Sequence, residues 1–414
     1  MTISRLGFGV IMAFLLSTFA ECVQCQPANL EEALALYREN KLDQARLLFE
    51  KLVDQDKNNP QEIAWLAETY RRLGKKEEAV RTARRALELD PRCSFAHTVI
   101  ADASNPIFGE WAQANSDTTW FHLMKAIEYD SSDGNPWIGV WVEAIHRGDF
   151  LMTRRASKEL VETGFLSKAA LAYGRWMIQG LPEKAILITN GDMDTFPPCA
   201  VQEAESIRKD VVIVNRPLLN TVWYARFIRD EEGVPLPVDD AGLQRIEFHK
   251  DQQGNLITQS DQIIRGWLKQ KATGAFSRPV TVSATVDNSF LSGIKSNLRF
   301  AGAFYEWSDS TSASIPDTAL ITQGLRGVTL DSLTGPWVSP QDRSPIRRTA
   351  TKSIVRNVTL AAIVYGESLL QAKRISEASY WANWADELDG KAEVGRIFTE
   401  RISQLKDSIA KTAR

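Results

Sequence analysis

Asn59 to Pro91 reads NPQEIAWLAETYRRLGKKEEAVRTARRALELDP, and this stretch decides the fold. Leu66 and Ala67 form an adjacent large-then-small pair, and Tyr70 follows on the same helical face. Gly74 supplies a turn. Ala79, Ala83 and Ala86 then line a second helix, which Pro91 ends. The small residues allow two helices to approach closely, while Leu66, Tyr70 and Leu87 fill the gaps between them. One such helix pair cannot bury its own apolar face, so stacked neighbours are expected on both sides.

Those neighbours are present in the pattern. Over 29–58, Ala33, Tyr37, Ala45, Phe49 and Leu52 fall at helical spacing around a turn at Asn40. The step from Ala45 to Ala79 is 34 residues. A third copy begins near Phe95–Ala101 and resumes at Phe121, with Asn105–Trp111 inserted between. A fourth opens at Pro136-Trp137, turns at Gly148-Asp149 and runs through Phe165. The pattern and its period resemble the tetratricopeptide repeat. The resemblance implies a groove for a protein partner and says little about chemistry. Trp111, Trp120, Trp137 and Trp141 crowd the later copies. They either fill the wider gaps of a degenerate array or line an aromatic groove. Gap filling is the expected role, because repeat helices carry aromatics inward.

At Lys184 the helical period gives way to short apolar runs. Ala185–Thr189 and Val211–Asn215 read as strands buried on both faces. Ala200–Arg208 reads as a helix between them, which makes a βαβ unit with parallel strands. Thr221–Arg229 and Ser260–Lys271 read as helices, with a hairpin around Asp251–Gly254 and a third strand at Arg278–Val286. Residues 308–350 read as extended loop, and from Thr351 the chain is helical again. Ala378, Ala382 and Ala385 restore the repeat spacing there. The expected fold class is therefore α plus α/β. A helical-repeat array covers 29–176, an α/β domain with a mainly parallel sheet covers 177–345, and repeat-like helices forming a closing hairpin cover 346–414.

The strands end in polar residues. Asn190, Asp192, Asp194 and Thr195 follow the first, and Asn215 and Asn220 belong to the end of the second. Asp287, Asn288 and Ser289 follow the third. In an open parallel sheet such ends share one edge, where ligands bind. These residues are candidates for a polar ligand or a glycan or nucleotide, and Asp192 with Asp194 resembles the two-carboxylate arrangement that holds a divalent ion or a sugar nucleotide's metal. The alternative is turn and capping chemistry, with Thr195 capping the following helix and Asp194 near its N-terminus.

Composition narrows the function classes. The 414 residues predict more than one core. A hydrophobic fraction of 44% with 24% charged residues suits a globular protein, and a net charge of −3 gives no nucleic-acid footprint. Arg5 followed by the apolar run from Leu6 to Leu16 and by Ser17–Ala20 reads as a secretory signal over 1–20. Periplasmic or secreted location is the expectation, with no transmembrane segment after cleavage. Cys22 and Cys25 raise a lipid anchor, but Glu21 and Gln24 precede them where small residues are wanted, so anchoring is the less favoured reading. The four cysteines make no dense disulfide framework, and the four histidines include no zinc-ligand pair. Cys199 sits by a helix start where a thiolate is favoured, yet no histidine has a sequence reason to approach it. No metal, cofactor or catalytic residue is assigned.

The block NGDMDTFPPCAVQEAESIRKDVVIVNRPLLNTVWYARFIR, Asn190 to Arg229, resembles a segment of large bacterial membrane proteins related to protein O-mannosyltransferases. Arg278–Val286, Leu298–Tyr305 and the C-terminal helices are also similar, so the resemblance spans about 180–410. Met193 departs from the polar residue that family carries there. The likeness is to the soluble, extracytoplasmic part, which implies a non-catalytic role beside a glycosylation or export system. Two functions stay open. One is a protein-interaction scaffold using the repeat groove. The other is a glycan- or nucleotide-binding protein, or a glycosyltransferase-related enzyme, with its site at the strand ends.

Overall fold

The computed structural model describes residues 29–108, 111–252, 254–286, 290–291, 294–308, 316–391 and 395–414. The expected signal segment, Cys22, Cys25 and Asp287–Ser289 lie outside these residues.

Four helix pairs come first among the described residues: α1 (Leu30–Arg38) with α2 (Leu42–Gln55), α3 (Pro60–Arg72) with α4 (Lys76–Leu89), α5 (Ser94–Ser104) with α6 (Ser116–Tyr129), and α7 (Pro136–Arg147) with α8 (Phe150–Glu162). Local chemistry sets their limits. Asn29, Asn59 and Asn115 accept backbone N–H bonds at the starts of α1, α3 and α6, and Pro60 occupies the first turn of α3. The turn between α3 and α4 places Gly74 at φ 76°, a left-handed conformation. Ala33, Ala45, Ala64, Ala67, Ala79, Ala83 and Ala86 are fully buried, which is how neighbouring helices close on one another. Leu66 is buried with them, while Tyr70 and Leu87 pack at the margin.

After α9 (Lys168–Gly180) comes β1 (Ile186–Thr189), then α10 (Asp192–Ala204) and β2 (Val212–Asn215). Next are α11 (Val222–Asp230), α12 (Asp240–Gln244), β3 (His249–Lys250), β4 (Leu256–Ile257), α13 (Gln259–Ala272) and β5 (Val280–Ser283). β6 (Leu298–Phe300) and β7 (Phe304–Trp307) follow. The main sheet runs β2-β1-β5-β7-β6. β1 is parallel to β2, with Ile186 opposite Val212, and parallel to β5, with Ile186 opposite Val280. β7 is antiparallel to both β5 and β6. The expected mainly parallel sheet is thus a mixed one, because β6 and β7 form a hairpin through a short turn and β7 runs antiparallel beside β5. β3 and β4 form a separate antiparallel pair.

Both faces of the parallel strands are covered. Ile186, Ile188, Val212 and Val214 pack into one core with Trp137, Trp141 and Phe165 of the fourth helix pair and its exit. Leu187 and Ile213 pack into another with Tyr173 and Trp176 of α9. Trp137 and Trp141 are therefore core residues and not the lining of a groove. Gly174 permits the close contact of α9 with α10, since a Cβ there would lie 2.6 Å from the Pro197 carbonyl carbon.

Three expected boundaries move. α10 begins at Asp192 and not Ala200, and it carries Pro197 and Pro198 inside it. The stretch read as loop holds α14 (Thr318–Leu325) and α15 (Leu330–Leu333), and the next helix, α16 (Arg347–Gln371), starts four residues before Thr351. α17 (Ile375–Asp389) pairs with α16 through a turn at Lys373, φ 59°, and α18 (Thr399–Thr412) packs beside them. Ala378, Ala382 and Ala385 are fully buried along α17.

Candidate functional site

Because β1 lies between β2 and β5, the ends of all three strands adjoin. The Asp194 carboxylate accepts the backbone N–H of Asn190 at 2.8 Å and of Gly191 at 3.0 Å, and it accepts the Thr285 hydroxyl. The Asn190 amide donates to the Thr285 carbonyl at 3.1 Å. The Thr195 hydroxyl bonds Thr189 at 2.6 Å and accepts from Asn215 at 3.1 Å. The structure thus brings together Asn190, Asp194, Thr195 and Asn215. Asn220 stands apart, accepting the Ser260 N–H at 2.9 Å at the start of α13. Asp192 is exposed.

These groups are spent on one another. Asp194, Thr195 and Asn215 are buried, and burial pushes the Asp194 carboxyl up against the lowering effect of its hydrogen bonds. Asp194 acts as the cap of α10, taking the part that the sequence offered to Thr195. Asp192 and Asp194 make no paired-carboxylate site, since one faces outward and the other inward. Among the described residues no three His, Cys, Asp or Glu side chains cluster in a way that could hold a metal. Burial raises the Cys199 thiol, so it is not held as a thiolate. His97 and His122 do meet, Nδ1 to Nδ1 at 2.7 Å, and burial together with His97 pushes His122 down to about 4. Both are neutral at physiological pH.

A second place has more room. A cavity of about 270 Å³ opens where the inner helices of the array face α10 and the start of α16. Glu68, Arg71, Arg72, Asp102, Asp192, Met193, Asp342, Arg343 and Arg347 line it, along with Phe95, Asn135 and Phe165. Guanidinium and carboxylate groups are balanced there. Glu68 accepts from Arg71 at 2.6 and 2.7 Å and from Arg72 at 2.8 Å. Burial alone would raise this carboxyl, but the two guanidiniums hold it down to about 2. Arg347 bonds Asp342 at 2.7 Å. The described lining contains no histidine and no cysteine.

One wall of this cavity comes from a distant part of the chain. Ser339–Ser344 crosses the inner face of the array. It begins with a turn in which Asp342 N–H reaches the Ser339 carbonyl at 3.0 Å, with Pro340 at the second position. The Asn135 side chain then holds its backbone from both sides: Nδ2 donates to the Gln341 carbonyl at 2.7 Å, and Oδ1 accepts the Arg343 N–H at 3.1 Å. Gly134 N–H donates to the Gln341 side chain at 3.3 Å. The Tyr37 hydroxyl lies 2.9 Å from both Glu68 Oε1 and the Arg343 carbonyl oxygen. The Arg343 guanidinium pairs with Asp133 and sits 4.1 Å over the Phe95 ring.

Tyr37 and Phe95 were legible only as repeat positions, and the polar residues of this face were not singled out in the sequence. Glu68 with Arg71 and Arg72 had a legible signal, the three- and four-residue spacing of helical ion pairs. Asp133, Asn135 and Arg343 had none, for their contacts join positions 206 to 210 apart.

The family model described as anaphase-promoting complex, cyclosome, subunit 3 matches residues 38–115, and the one described as TMEM260-associated domain 2 matches residues 170–273. No curated protein matches the chain. Among solved structures, a MamA protein aligns with 13% identity and a TM-score of 0.27, covering 49% of this chain and 94% of its own. A tetratricopeptide repeat protein from Parabacteroides merdae gives 9% and 0.28, covering 92% and 96%. Yeast Tom70 gives 12% and 0.26, covering 96% and 67%. The paired helices at a 34-residue step and the match over 38–115 define a protein with tetratricopeptide-like repeats. They do not extend to the O-mannosyltransferase likeness read from Asn190–Arg229, which the comparisons leave without support.

Proposed function

We propose that the chain is a non-catalytic protein-interaction scaffold, exported to the cell envelope, where it serves a glycosylation or export system. The observation that carries the scaffold reading is the inner face of the array. Tyr37, Phe95, Asp133 and Asn135 are arranged there to hold a polypeptide by its backbone and one side chain. The repeat architecture supports it, because stacked helix pairs give an extended concave surface suited to partners. The export reading rests on Arg5 and the apolar run after it, and the glycosylation link rests on the resemblance of Asn190–Arg229.

The test uses the full chain, because the fourth helix pair shares a core with the sheet and a deletion of the array would open that core. Tagged wild type and Asn135→Ala are exposed to envelope extract after circular dichroism shows equal folding. A partner retained by wild type and lost by the variant supports the reading. Equal capture by both refutes the inner face as the seat of binding. The mass of the mature N-terminus tests export, and an intact Met1 on a protein recovered from cytosol refutes it.

A further inference from the structure

We infer that the inner face of the array is a receptor for an arginine-bearing turn, and that Ser339–Ser344 is its built-in ligand. A partner using this face must present the same chemistry and displace that segment. The inference deepens the scaffold reading and rests on it for the identity of the face.

The contacts divide by what they can recognise. Asn135 takes a carbonyl and an N–H two residues apart, and Tyr37 takes one more carbonyl. Main-chain groups are common to all peptides, so these bonds position a ligand without selecting its sequence. Selection falls on one side chain. The Arg343 guanidinium meets the Asp133 carboxylate, only 9% exposed, and the face of Phe95 at 4.1 Å. A planar cation that stacks on an aromatic ring while pairing with a carboxylate is what arginine supplies and lysine does not. Pro340 presets the turn that delivers Gln341 and Arg343 to these groups, which lowers the ordering cost of the ligand.

The segment is also built as a ligand more than as core. Gln341 and Pro340 are exposed, and Arg343 is held by polar and ring contacts, not by apolar packing. Its occupancy follows from tethering. A segment of the same chain acts at an effective concentration near millimolar, so a weak intrinsic affinity keeps the face filled. A partner with a matching turn and further contacts along the array can replace it, and only the first of these features needs to resemble the segment.

The probe is the capped hexapeptide Ser-Pro-Gln-Asp-Arg-Ser, fluorescently labelled, added to the full chain. Wild type should bind it weakly, because its own segment competes. Arg343→Ala removes the anchor of that segment and leaves Asp133, Phe95, Tyr37 and Asn135 in place. It should bind the peptide at least about tenfold more tightly than wild type. The peptide with alanine in place of arginine should bind this variant at least about tenfold more weakly, as should the normal peptide with Asp133→Ala added. Arg343→Lys, which keeps the charge but loses the planar fork that stacks on Phe95 while pairing with Asp133, repeats the test should Arg343→Ala fail to fold. Equal binding of the arginine and alanine peptides by a folded variant, or no binding by it at millimolar peptide, overturns the inference. A partner captured from extract by Arg343→Ala that arginine peptide does not displace also overturns it while leaving the scaffold reading intact. Peptide binding with no partner captured by any form sustains the inference and counts against the scaffold.

Discussion

Glu68→Gln is the substitution whose effect the structure fixes most closely. The carboxylate is 4% exposed and accepts from Arg71 twice and from Arg72, while the one Tyr37 hydroxyl proton is shared between it and the Arg343 carbonyl. The amide keeps the shape but gives up the charge and turns an N–H₂ toward guanidiniums that remain largely buried. Removing one member of a buried ion-pair network costs about 3–5 kcal/mol, because the other charges are left uncompensated. The proton linkage leads to a similar size. A folded carboxyl held at about 2, against 4.5 unperturbed, corresponds to about 3 kcal/mol at neutral pH. The sign follows from the depression. The folded state holds this proton less tightly than the unfolded chain, so the stabilisation is complete above about pH 5 and is lost as pH falls through 2. His122, lowered by burial, also loses stability in acid, and Asp194, raised by burial, changes in the opposite sense. Both are common to wild type and variant, so the difference between the two reports Glu68 together with Asp102, whose buried carboxyl shares Arg71 with it. Urea unfolding followed by circular dichroism at pH 7, 5 and 3 measures it. A difference below about 1 kcal/mol at pH 7, or one that stays constant on acidification, refutes the reasoning.

Two glycines separate backbone from steric costs. Gly74→Ala meets nothing within 4 Å but must hold φ at 76°, so thermal unfolding should report a loss of about 1–2 kcal/mol. Gly174→Ala puts a methyl 2.6 Å from the Pro197 carbonyl carbon and 2.8 Å from its oxygen, and backbone cannot yield as a side chain does. It should cost about 1–3 kcal/mol and alter the near-ultraviolet signal of Trp176 on the same helix, whereas Gly74→Ala should not. Asp194→Ala leaves the Asn190 and Gly191 N–H groups and the Thr285 hydroxyl without their acceptor, a loss of about 1–3 kcal/mol in the same unfolding assay. Asp192→Ala, at an exposed position, should stay within about 0.5 kcal/mol. Added Mg²⁺, Ca²⁺ or a sugar nucleotide should not shift the melting temperature of wild type, and a shift that Asp192→Ala abolishes would revive the strand-end site.

What the sequence made legible was whatever repeats or alternates locally. Ala45 and Ala79 betray the helix pairs because their smallness is needed at every crossing. Ala185–Thr189 and Val211–Asn215 betray parallel strands because both of their faces are covered. Where two chemistries share one composition, the reading slipped. Asn190–Pro198 has the residues of a turn, and prolines argue against a helix interior. Yet α10 starts at Asp192, because the Asp194 carboxylate ties down the N–H groups of Asn190 and Gly191, and Pro197 and Pro198 fall early in the helix, where they remove the bonds that the Met193 and Asp194 carbonyls would have accepted. The short helices α14 and α15 span too few turns for a period to show.

The strand-end candidates illustrate a different limit. Polar residues at the ends of parallel strands are expected in a binding site and equally in a site that must satisfy its own buried groups. Sequence cannot separate the two, since the residue types are the same. Burial separates them here: Thr195 and Asn215 complete each other, and Asp194 serves backbone N–H groups. The inner face of the array is the converse case. Asn135, Asp133 and Phe95 carry no motif, and their partner Arg343 arrives only after the chain has built the sheet and returned. A contact of that kind is written in topology and not in any window of sequence. Arg343→Lys in the segment is then the sharpest single probe of that contact: the charge remains, the planar fork is lost, and peptide access should rise toward that of Arg343→Ala.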